Sequence, residues 1–392
     1  MNLRAILLAV LMLFVFSAIR SVPVAASQLL VDVDKVACPL ASYTSIQAAV
    51  NAASPGDEIR ICKGIYVEQV VIQKSLDIHA DNGAILMPSA MVANSTSLFD
   101  ASPLAVALLV TNASGVSVDG LIVDGTNSGI SACAPDFFGI AFQNASGSIR
   151  RTVVRNFKLS ASLNGCQTGT GILVQSGGGQ ISSVAIDSTS VHDFQKNGIT
   201  ANEVGTQVHI RGNFVTGVGP TTGAAQNGIQ VGFGATGSIM DNTVSNNIWS
   251  PCVAVSTCTA VATNILVTQS DGVTVSGNSV SVSQVGIFID ANSAQLFDNQ
   301  ASANSVFDGI RLEGNSSYGR DNTVFNSSES GIFLDGDNNV VRNNTVTEAS
   351  IGILKTTTSS GNLIQLNSIF DCPITIQDPS ARSIAKLLSP QR

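Results

Sequence analysis

Charged and aromatic side chains are scarce in this chain. Asp, Glu, Lys and Arg make up 12% of its 392 residues, and Phe, Trp and Tyr only 5%. Gly and Asn are abundant instead, and Val, Ile, Ser and Thr recur throughout, which indicates an all-β chain with many turns rather than helices. The formal net charge of -8 disfavours nucleic acid and anionic membranes as partners, because both need basic patches.

Soft metal ligands are also few. The chain has three His, five Met and no Cys-x-x-Cys pair, so its seven Cys do not indicate a metal site. In an exported chain they indicate disulfides, with one cysteine left over. The expected pairs are Cys38–Cys62, Cys133–Cys166 and Cys252–Cys258, which leaves Cys372 unpaired.

Export is predicted by the first 26 residues. Arg4 precedes an apolar run over residues 5–18, and small residues follow up to Ala26, as in a secretory signal peptide cleaved after that residue. A membrane anchor is the alternative, but the run is short for a bilayer. No later stretch is long and apolar enough for a second span, so we expect a secreted or periplasmic protein without membrane contact.

A Gly-Ile pair followed by an alternating segment recurs along the chain. The late intervals are 21 to 23 residues long, the length of one turn of a β-solenoid, and the longer early intervals indicate enlarged turns. The pairs begin at Gly139, Gly171, Gly198, Gly228, Gly286, Gly309, Gly331 and Gly352, and Asn264-Ile265 fills the gap before Gly286.

A second column consists of asparagines about midway through each repeat. Stacked amides can donate and accept hydrogen bonds from coil to coil, so we expect a ladder along the axis. A leucine-rich repeat has a similar period but needs a leucine framework that this chain lacks. The column comprises Asn213, Asn242, Asn278, Asn299, Asn322, Asn344 and Asn367, with Thr152 and Thr189 in the equivalent earlier places.

The N-terminal end carries a predicted capping helix. Residues 45–53 place Ile46, Ala49 and Val50 at helical spacing, and Pro55-Gly56 ends the pattern. Such a helix would cover the apolar interior that an open solenoid end exposes. The predicted parts are a signal peptide (1–26), a cap with the first coils (27–100), β-helix repeats (101–378) and a C-terminal tail (379–392) with a short helix over 384–388.

The segment from Thr44 to Leu86 resembles the opening segment of the pectin lyase-like superfamily, and the Gly-Ile and Asn repeats resemble its parallel β-helix repeats. Together they cover nearly the whole mature chain. The resemblance implies an all-β, single-domain, right-handed parallel β-helix with a short N-terminal capping helix. It implies no single activity, because this scaffold hosts lyases, hydrolases, esterases, epimerases and non-catalytic proteins.

Three carboxylates form the candidate catalytic group. With the repeat isoleucine inside, residues two and four after each glycine face outward, which places Asp290, Glu313 and Asp335 in one column. Neighbouring coils lie about 4.8 Å apart, and like charges at about 5 Å repel by roughly 3 kcal/mol at a dielectric of 20. Arg311, a bound cation or a proton on Glu313 would relieve this repulsion.

The spacing of these acids suits glycosidic-bond chemistry. Adjacent acids lie near the separation of retaining enzymes, and the outer pair near that of inverting ones. Phe288 and Phe333, expected to be exposed on either side of Arg311, could stack on sugar rings. The alternative is that the acids are ordinary turn residues that Arg311 neutralises.

One branch of the superfamily is similar at the same strands. In mannuronan epimerases a Gly-aromatic-aliphatic-x-Asp strand carries a catalytic aspartate, and the segments ending at Asp290 and Asp335 resemble it in position. That branch also has a Tyr-Gly-Phe-Asp-Pro-His segment, which has no match here.

A second polar cluster is a candidate substrate-binding site. His and Lys could act as base and acid, and the single tryptophan could stack on a sugar. The alternative is that these are exposed residues at β-helix corners. The cluster comprises His192, Lys196, His209, Arg211, Asp241 and Trp249.

Three functions follow as hypotheses. The first is a carbohydrate-active enzyme (hydrolase, lyase or epimerase) on an extracellular polysaccharide, and the second is non-catalytic binding of a polysaccharide or protein. The third is metal delivery, because the repeats resemble those of periplasmic copper-maturation (NosD-type) proteins, although soft ligands are few. We expect a monomer that requires no cofactor, and calcium held by the acid column is compatible with the first two hypotheses.

Overall fold

The computed structural model describes residues 26–378, in which each turn of the chain lays one strand on each of three parallel sheets. The coils stack into a parallel β-helix, as predicted, and right-handed winding is the rule for such parallel crossovers. The predicted signal peptide up to residue 25 and the predicted helix over 384–388 lie outside the described residues. Within 26–378, no helix has the length and apolar character needed to cross a membrane.

The strands are short, and most have three to six residues. They are β1 (Gln28–Val31), β2 (Glu58–Ile61), β3 (Gly64–Tyr66), β4 (Val70–Ile72), β5 (Asp77–Ala80), β6 (Ala84–Leu86), β7 (Ser95–Thr96), β8 (Pro103–Thr111), β9 (Val116–Asp119), β10 (Ile122–Asp124), β11 (Asp136–Gln143), β12 (Ser146–Arg150), β13 (Val153–Arg155), β14 (Thr170–Gln175), β15 (Ser182–Asp187), β16 (Ser190–His192), β17 (Asn197–Asn202), β18 (Thr206–Arg211), β19 (Phe214–Thr221), β20 (Asn227–Gly232), β21 (Thr236–Met240), β22 (Thr243–Trp249), β23 (Thr263–Thr268), β24 (Thr274–Ser276), β25 (Ser279–Ser283), β26 (Val285–Asp290), β27 (Gln295–Phe297), β28 (Gln300–Asn304), β29 (Ile310–Leu312), β30 (Tyr318–Arg320), β31 (Thr323–Leu334), β32 (Val340–Arg342), β33 (Thr345–Lys355), β34 (Leu363–Gln365), β35 (Ser368–Phe370) and β36 (Ile374–Gln377).

Sheet 1 has 13 strands in the order β1-β2-β5-β9-β12-β15-β18-β21-β24-β27-β30-β32-β34. Sheet 2 runs from β3 through β6, β10, β13, β16, β19, β22, β25 and β28 to β35, and sheet 3 runs from β4 through β8, β11, β14, β17, β20, β23, β26 and β29 to β36. Strands β31 and β33 bend around the corner and belong to both. The pairings are parallel except that of β7 with β8.

A helix closes the N-terminal end, as predicted. Helix α1 (Ile46–Ala52) is capped by Ser45, whose hydroxyl accepts a hydrogen bond from the Ala48 amide at 3.2 Å. The Glu68 carboxylate accepts a further bond from the Ile46 amide at 2.7 Å, which satisfies another free N–H of the first turn. The apolar face of α1 packs on the first coils. Within the described residues, two single 3₁₀ turns occur, at Ala161–Leu163 and Val255–Thr257.

The predicted asparagine ladder is confirmed at the corner between sheets 1 and 2. Each side-chain amide donates to the side-chain oxygen of the next asparagine at 2.9–3.0 Å. The earlier position also takes part, because the Thr189 amide donates to Asn213 Oδ1 at 2.9 Å. All of these asparagines except the half-buried Asn367 are almost fully buried, so each coil is fixed in register with the next.

A column of glycines allows the chain to turn from sheet 2 into sheet 3. A Cβ added to Gly286 would lie 2.5 Å from the carbonyl oxygen of Gly309 and 3.1 Å from the Cβ of Ala301. Only hydrogen fits at this close approach between coils. The glycine of the repeat is therefore a packing requirement of the corner that precedes the candidate site.

The predicted disulfides are confirmed. Cys38 is bonded to Cys62, Cys133 to Cys166 and Cys252 to Cys258, and Cys372 is a half-buried free cysteine. The first bond ties the N-terminal coils, and the other two close loops beside sheet 3.

Candidate functional site

The outer face of sheet 3 carries three columns of side chains rather than two. The bend at each glycine shifts the alternation, so the residue before the glycine also faces outward. Asn197 and Thr200, three residues apart, therefore share a hydrogen bond of 3.0 Å across this face. The two columns after the glycine agree with the sequence prediction, and the third column was missed.

Primary amides link the middle coils of this face. Gln230 Oε1 accepts bonds from Asn197 Nδ2 at 3.3 Å and from Asn227 Nδ2 at 3.2 Å, and Gln230 Nε2 donates to Asn202 Oδ1 at 3.1 Å. Hydrogen bonds between neighbouring coils hold these side chains in fixed orientations, with polar atoms along one surface.

Asn197, Asn202 and Gln230 form part of the floor of a cleft of about 280 Å³, here called the amide cleft. Leu104, Phe138 and Leu173 add an apolar part to its lining. Phe99 and Phe233 line the rim and stay exposed, with 76% and 42% of their surfaces accessible. The cleft thus combines a polar strip with aromatic faces.

A loop from an early coil forms one wall of the cleft. The segment around Ser97 folds back over sheet 3, and two glutamines hold it there. Gln143 Nε2 donates to the Thr96 carbonyl at 2.9 Å, and Gln175 Oε1 accepts from the Leu98 amide at 3.0 Å. The sequence pattern places both glutamines on the solvent-facing column, but they are buried because this loop covers them.

Two charged groups line the amide cleft. Lys196 lies at its sheet 2 side, where burial lowers the pKa of the ammonium group. Glu203 lies at its sheet 1 side, where burial raises the pKa of the carboxyl. Perturbed groups of this kind in a cleft are typical of functional sites, although structural groups also show such shifts.

The predicted acid column stands farther along the same face. The Glu313 amide donates to the Ile289 carbonyl at 2.9 Å, and the Asp335 amide donates to the Leu312 carbonyl at 2.9 Å. This register stacks Asp290, Glu313 and Asp335 on successive coils. Asp290 and Asp335 are exposed, and Glu313 is half-buried.

Each acid of the column has its own hydrogen-bond partner. Asp290 accepts from Thr268 at 2.9 Å, and Glu313 accepts from Arg311 Nε at 2.7 Å. Asp335 accepts from the hydroxyls of Thr356 and Thr358 in the next coil. Of the three ways considered to relieve the repulsion, the structure shows the ion pair between Arg311 and Glu313.

Arg311 is the centre of a compact cluster. Its guanidinium also donates to Asp308 at 2.8 Å and lies 3.8 Å from the ring centroid of Phe333. The rings of Phe288 and Phe307 are each 5.7 Å away. Phe333 is only 8% exposed, so the prediction that it faces solvent is wrong: Arg311 covers its ring. Phe288 is partly buried.

The sequence analysis did not identify two acids of this cluster, Asp308 and Glu329. Asp308 occupies the column before the glycine, where simple alternation assigns it to the interior side of the chain. Burial raises its pKa to about 6, against the opposing effects of its bonds to Ser330 and Arg311. Glu329 lies nearby, and burial raises its pKa as well. For Arg311, burial works to lower the pKa, but Asp308 and Glu313 outweigh it and raise the pKa.

The structure does not bring the residues of the second predicted cluster together into one site. His209 and Arg211 lie on sheet 1, where they bond to Ser238 and Asp241 respectively. His192 is on sheet 2 and bonds Asp193 at 2.8 Å. Sequence proximity misled here because each strand faces a different side of the β-helix. Lys196 turns toward the amide cleft instead.

Trp249 packs near the acid column rather than near the histidines. Its ring joins an apolar cluster with Phe288, Phe307 and the half-cystine Cys252, and its Nε1 donates to the Gly223 carbonyl at 2.8 Å. This contact anchors the loop that the disulfide Cys252–Cys258 closes. Its half-buried position suits a structural role for the ring.

The described residues offer one cluster with metal-ligand spacing. Within 26–378, the three ligand types that come within 4.8 Å of one another are the sulfurs of Cys38 and Cys62 and a carboxylate oxygen of Asp81. Because the two sulfurs form a disulfide, they are not thiolate ligands.

Comparisons with known proteins agree with this architecture. The model of the family described as periplasmic copper-binding protein (NosD) matches residues 180–383, slightly more than half of the chain. No curated protein matches the chain in sequence. The matched region includes most of the asparagine ladder and the acid column.

Carbohydrate-active enzymes are among the structural neighbours. A GH136 lacto-N-biosidase from Eubacterium ramulus has a TM-score of 0.56 at 12% identity, over 88% of this chain and 68% of the enzyme. XylC in complex with xylose has a TM-score of 0.51 at 9% identity, over 88% and 86%. A mannuronan C-5 epimerase A-module from Azotobacter vinelandii has a TM-score of 0.46 at 14% identity, over 85% of this chain and 92% of the module. At these identities the likeness shows the fold alone.

Proposed function

We propose that this chain, which belongs to the family of periplasmic copper-binding proteins (NosD), a family of right-handed β-helices, is an exported glycan-binding protein. The ligand lies in the amide cleft on the outer face of sheet 3. The observation that carries the proposal is the combination of an amide-lined floor with exposed phenylalanine rings in one cleft.

Sugar chemistry matches this surface. Each hydroxyl of a sugar is both donor and acceptor, and a primary amide offers both to it. The apolar faces of a pyranose suit flat aromatic rings such as Phe99 and Phe233. The hydrogen bonds among Asn197, Asn227 and Gln230 orient the floor before the ligand arrives, which lowers the entropic cost of binding.

Export is part of the proposal. Three disulfides persist only in oxidising compartments such as the periplasm or the extracellular space. The predicted signal peptide over residues 1–26 would direct the chain there. Polysaccharides are the abundant ligands of that environment, and a rigid β-helix offers them a long, flat face.

The histidines and cysteines of the described residues do not form a copper site. Copper in biology is held by imidazole and by Cys or Met sulfur. His79 and His209 lie on sheet 1 and His192 lies on sheet 2, and the sulfurs beside Asp81 are in a disulfide. The proposed function does not depend on copper.

A pair of phenylalanine variants tests glycan binding. Phe233→Ala removes a rim ring from the amide cleft, and we expect at least a tenfold loss of affinity for glycans that bind the wild type on an array. The matched control is Phe214→Ala, which removes an exposed ring from sheet 2. Equal affinity of both variants for every bound glycan, or no glycan binding by the wild type, would contradict the proposal.

Cleavage or epimerisation of the bound glycan is the second candidate function. It is favoured by the stacking of Asp290, Glu313 and Asp335 on the same face. Glu313 is paired with Arg311 and lies between the two exposed carboxylates. Adjacent acids about 5 Å apart could serve as an acid/base or nucleophile pair.

Glu313→Gln separates this candidate from binding alone. The change removes one charge and keeps the shape, so we expect turnover of a bound polysaccharide to fall at least a hundredfold with the fold intact. Reducing ends and unsaturated uronates are the products to assay. Glu348→Gln, on an exposed corner, is the control. Turnover by Glu313→Gln at the wild-type rate would remove the acid column from the mechanism and leave the binding proposal standing.

A further inference from the structure

Lys196 is held firmly at one side of the amide cleft. Its backbone amide donates to the Gly169 carbonyl at 2.9 Å, and its carbonyl accepts from the Asn227 amide at 3.1 Å, so neighbouring coils fix it on both sides. The side-chain Nζ donates to the Ala225 carbonyl at 2.9 Å. The ammonium group is therefore presented to the cleft from a rigid corner.

Among the hydrogen bonds and ion pairs of residues 26–378, the Lys196 ammonium group has a neutral partner and no carboxylate partner. Burial alone shifts its pKa downward, with no nearby acid to offset the shift. Lys158, by contrast, forms an ion pair with Asp193 at 2.9 Å. A half-buried cation without a counter-ion is poorly solvated, and an anion that enters the cleft would compensate its charge.

Glu203 does not supply that anion. No ion pair or hydrogen bond joins the two side chains within residues 26–378, and the six residues of β17 separate them along the chain. The cleft consequently has a cationic side at the corner between sheets 2 and 3 and an acidic side at the corner between sheets 3 and 1.

We propose that the amide cleft takes an acidic glycan, in which the carboxylate of one uronic acid residue pairs with Lys196 Nζ. The following rings of the same chain then extend over Gln230 toward Phe233, away from the cation. This inference rests on the proposed glycan binding and adds the chemical class of the ligand.

The test compares uronic acid oligosaccharides with their methyl esters, which lack the negative charge and carry one added methyl group at the carboxyl. The probes are oligogalacturonate, oligomannuronate and oligoglucuronate, each with its fully esterified form, together with neutral oligosaccharides on the same array. The wild type should bind at least one free acid tenfold or more tightly than its ester in calorimetric titration.

Lys196→Gln should lose this preference, so that the free acid binds no more tightly than its ester, and Lys196→Arg should keep it because the charge remains. The control is Lys74→Gln, whose ammonium group also donates to a backbone carbonyl, that of Ala53 at 2.9 Å, but outside the cleft. Its preference should equal that of the wild type.

The possible failures are distinguishable. Binding of neutral glycans or esters as tightly as free acids overturns the acidic-ligand inference and leaves glycan binding intact. A preference for acids that survives in Lys196→Gln also overturns it, because another group would then carry the recognition. Absence of binding to every glycan overturns both this inference and the proposed function.

Discussion

Arg311 connects most of the chemistry at the C-terminal part of sheet 3. It joins two carboxylates, Asp308 and Glu313, and covers the ring of Phe333. A guanidinium can satisfy both because its donors lie in a planar fork and its faces stack on aromatic rings. The same contacts make Arg311 a structural tie between neighbouring coils, so replacing it would change both stability and the environment of Glu313.

Asp308 makes the stability of the fold depend on pH. Because burial raises its pKa to about 6 from an ordinary 3.8, the folded state holds this proton more tightly than the unfolded state. The resulting stabilisation is fully present below pH 4 and is lost as the pH rises through 6. Between pH 5 and pH 7 the wild type should lose about 1 kcal/mol more unfolding free energy than Asp308→Asn.

Urea unfolding of the two proteins at both pH values measures this difference. Parallel pH dependence in wild type and Asp308→Asn would show that the buried carboxyl titrates in the folded state as it does in the unfolded chain. A cooperative thermal unfolding transition of Asp308→Asn, like that of the wild type, shows that the variant is folded.

At the residue scale, the sequence predicted the acid column but not the acid beneath it. The period-two rule holds after each glycine, which is why Asp290, Glu313 and Asp335 were placed correctly in register. The rule fails across the glycine bend, where Asp308 turns to the same face as Arg311. One sequence signal could have identified Asp308. It is an acidic residue directly before a Gly-Ile pair and three positions before an arginine.

Among the structural elements, the corner glycines set the distance between coils before sheet 3. Gly286→Ala would push a methyl group against the Gly309 carbonyl, so we expect a destabilisation of about 2 kcal/mol, the usual cost of overpacking. Gly165 is the matched control because an added Cβ there meets nothing within 4 Å. Gly165→Ala should change stability by less than about 0.5 kcal/mol.

Thermal denaturation of these two variants is sufficient to compare them. A melting temperature of Gly286→Ala equal to that of Gly165→Ala would mean that the corner can open without cost, contrary to the close approach of the coils.

Hydrogen-bonded columns inside the fold were predictable only where one residue type repeats. The asparagine ladder was found because seven copies share one position. A second buried ladder at the corner between sheets 2 and 3 mixes residue types, with Asn247 donating to Asn264 at 2.8 Å and Asn264 to Ser283 at 3.1 Å. Serine and asparagine alternate there at uneven spacing, so no sequence column stands out.

For the whole molecule, the winding determines which side chains can meet. Residues close in sequence, such as His192 and His209, end on different sheets. Residues more than a hundred positions apart, such as Phe99 and Phe233, come together at one cleft because a loop from an early coil folds over later ones. The repeat period predicts that residues close in sequence lie on different sheets. The placement of the loop over sheet 3 depends instead on tertiary contacts such as those of Gln143 and Gln175.

The same winding separates two regions along one face. The amide cleft lies over the middle coils, and the acid column begins two coils farther on, at β26. A polysaccharide chain that follows the β-helix axis could contact both, whereas a chain that crosses sheet 3 would meet only the cleft. The sequence analysis identified the acid column and missed the amide cleft. The cleft forms only where the loop around Ser97 folds over sheet 3.

A crystal structure with the oligosaccharide that binds most tightly on the array tests the central claim directly. We expect sugar density in the amide cleft, within hydrogen-bond distance of Asn197 or Gln230 and in contact with Phe233. Density for the same glycan on the outer face of sheet 1 or sheet 2, with the amide cleft free of sugar, would contradict the account.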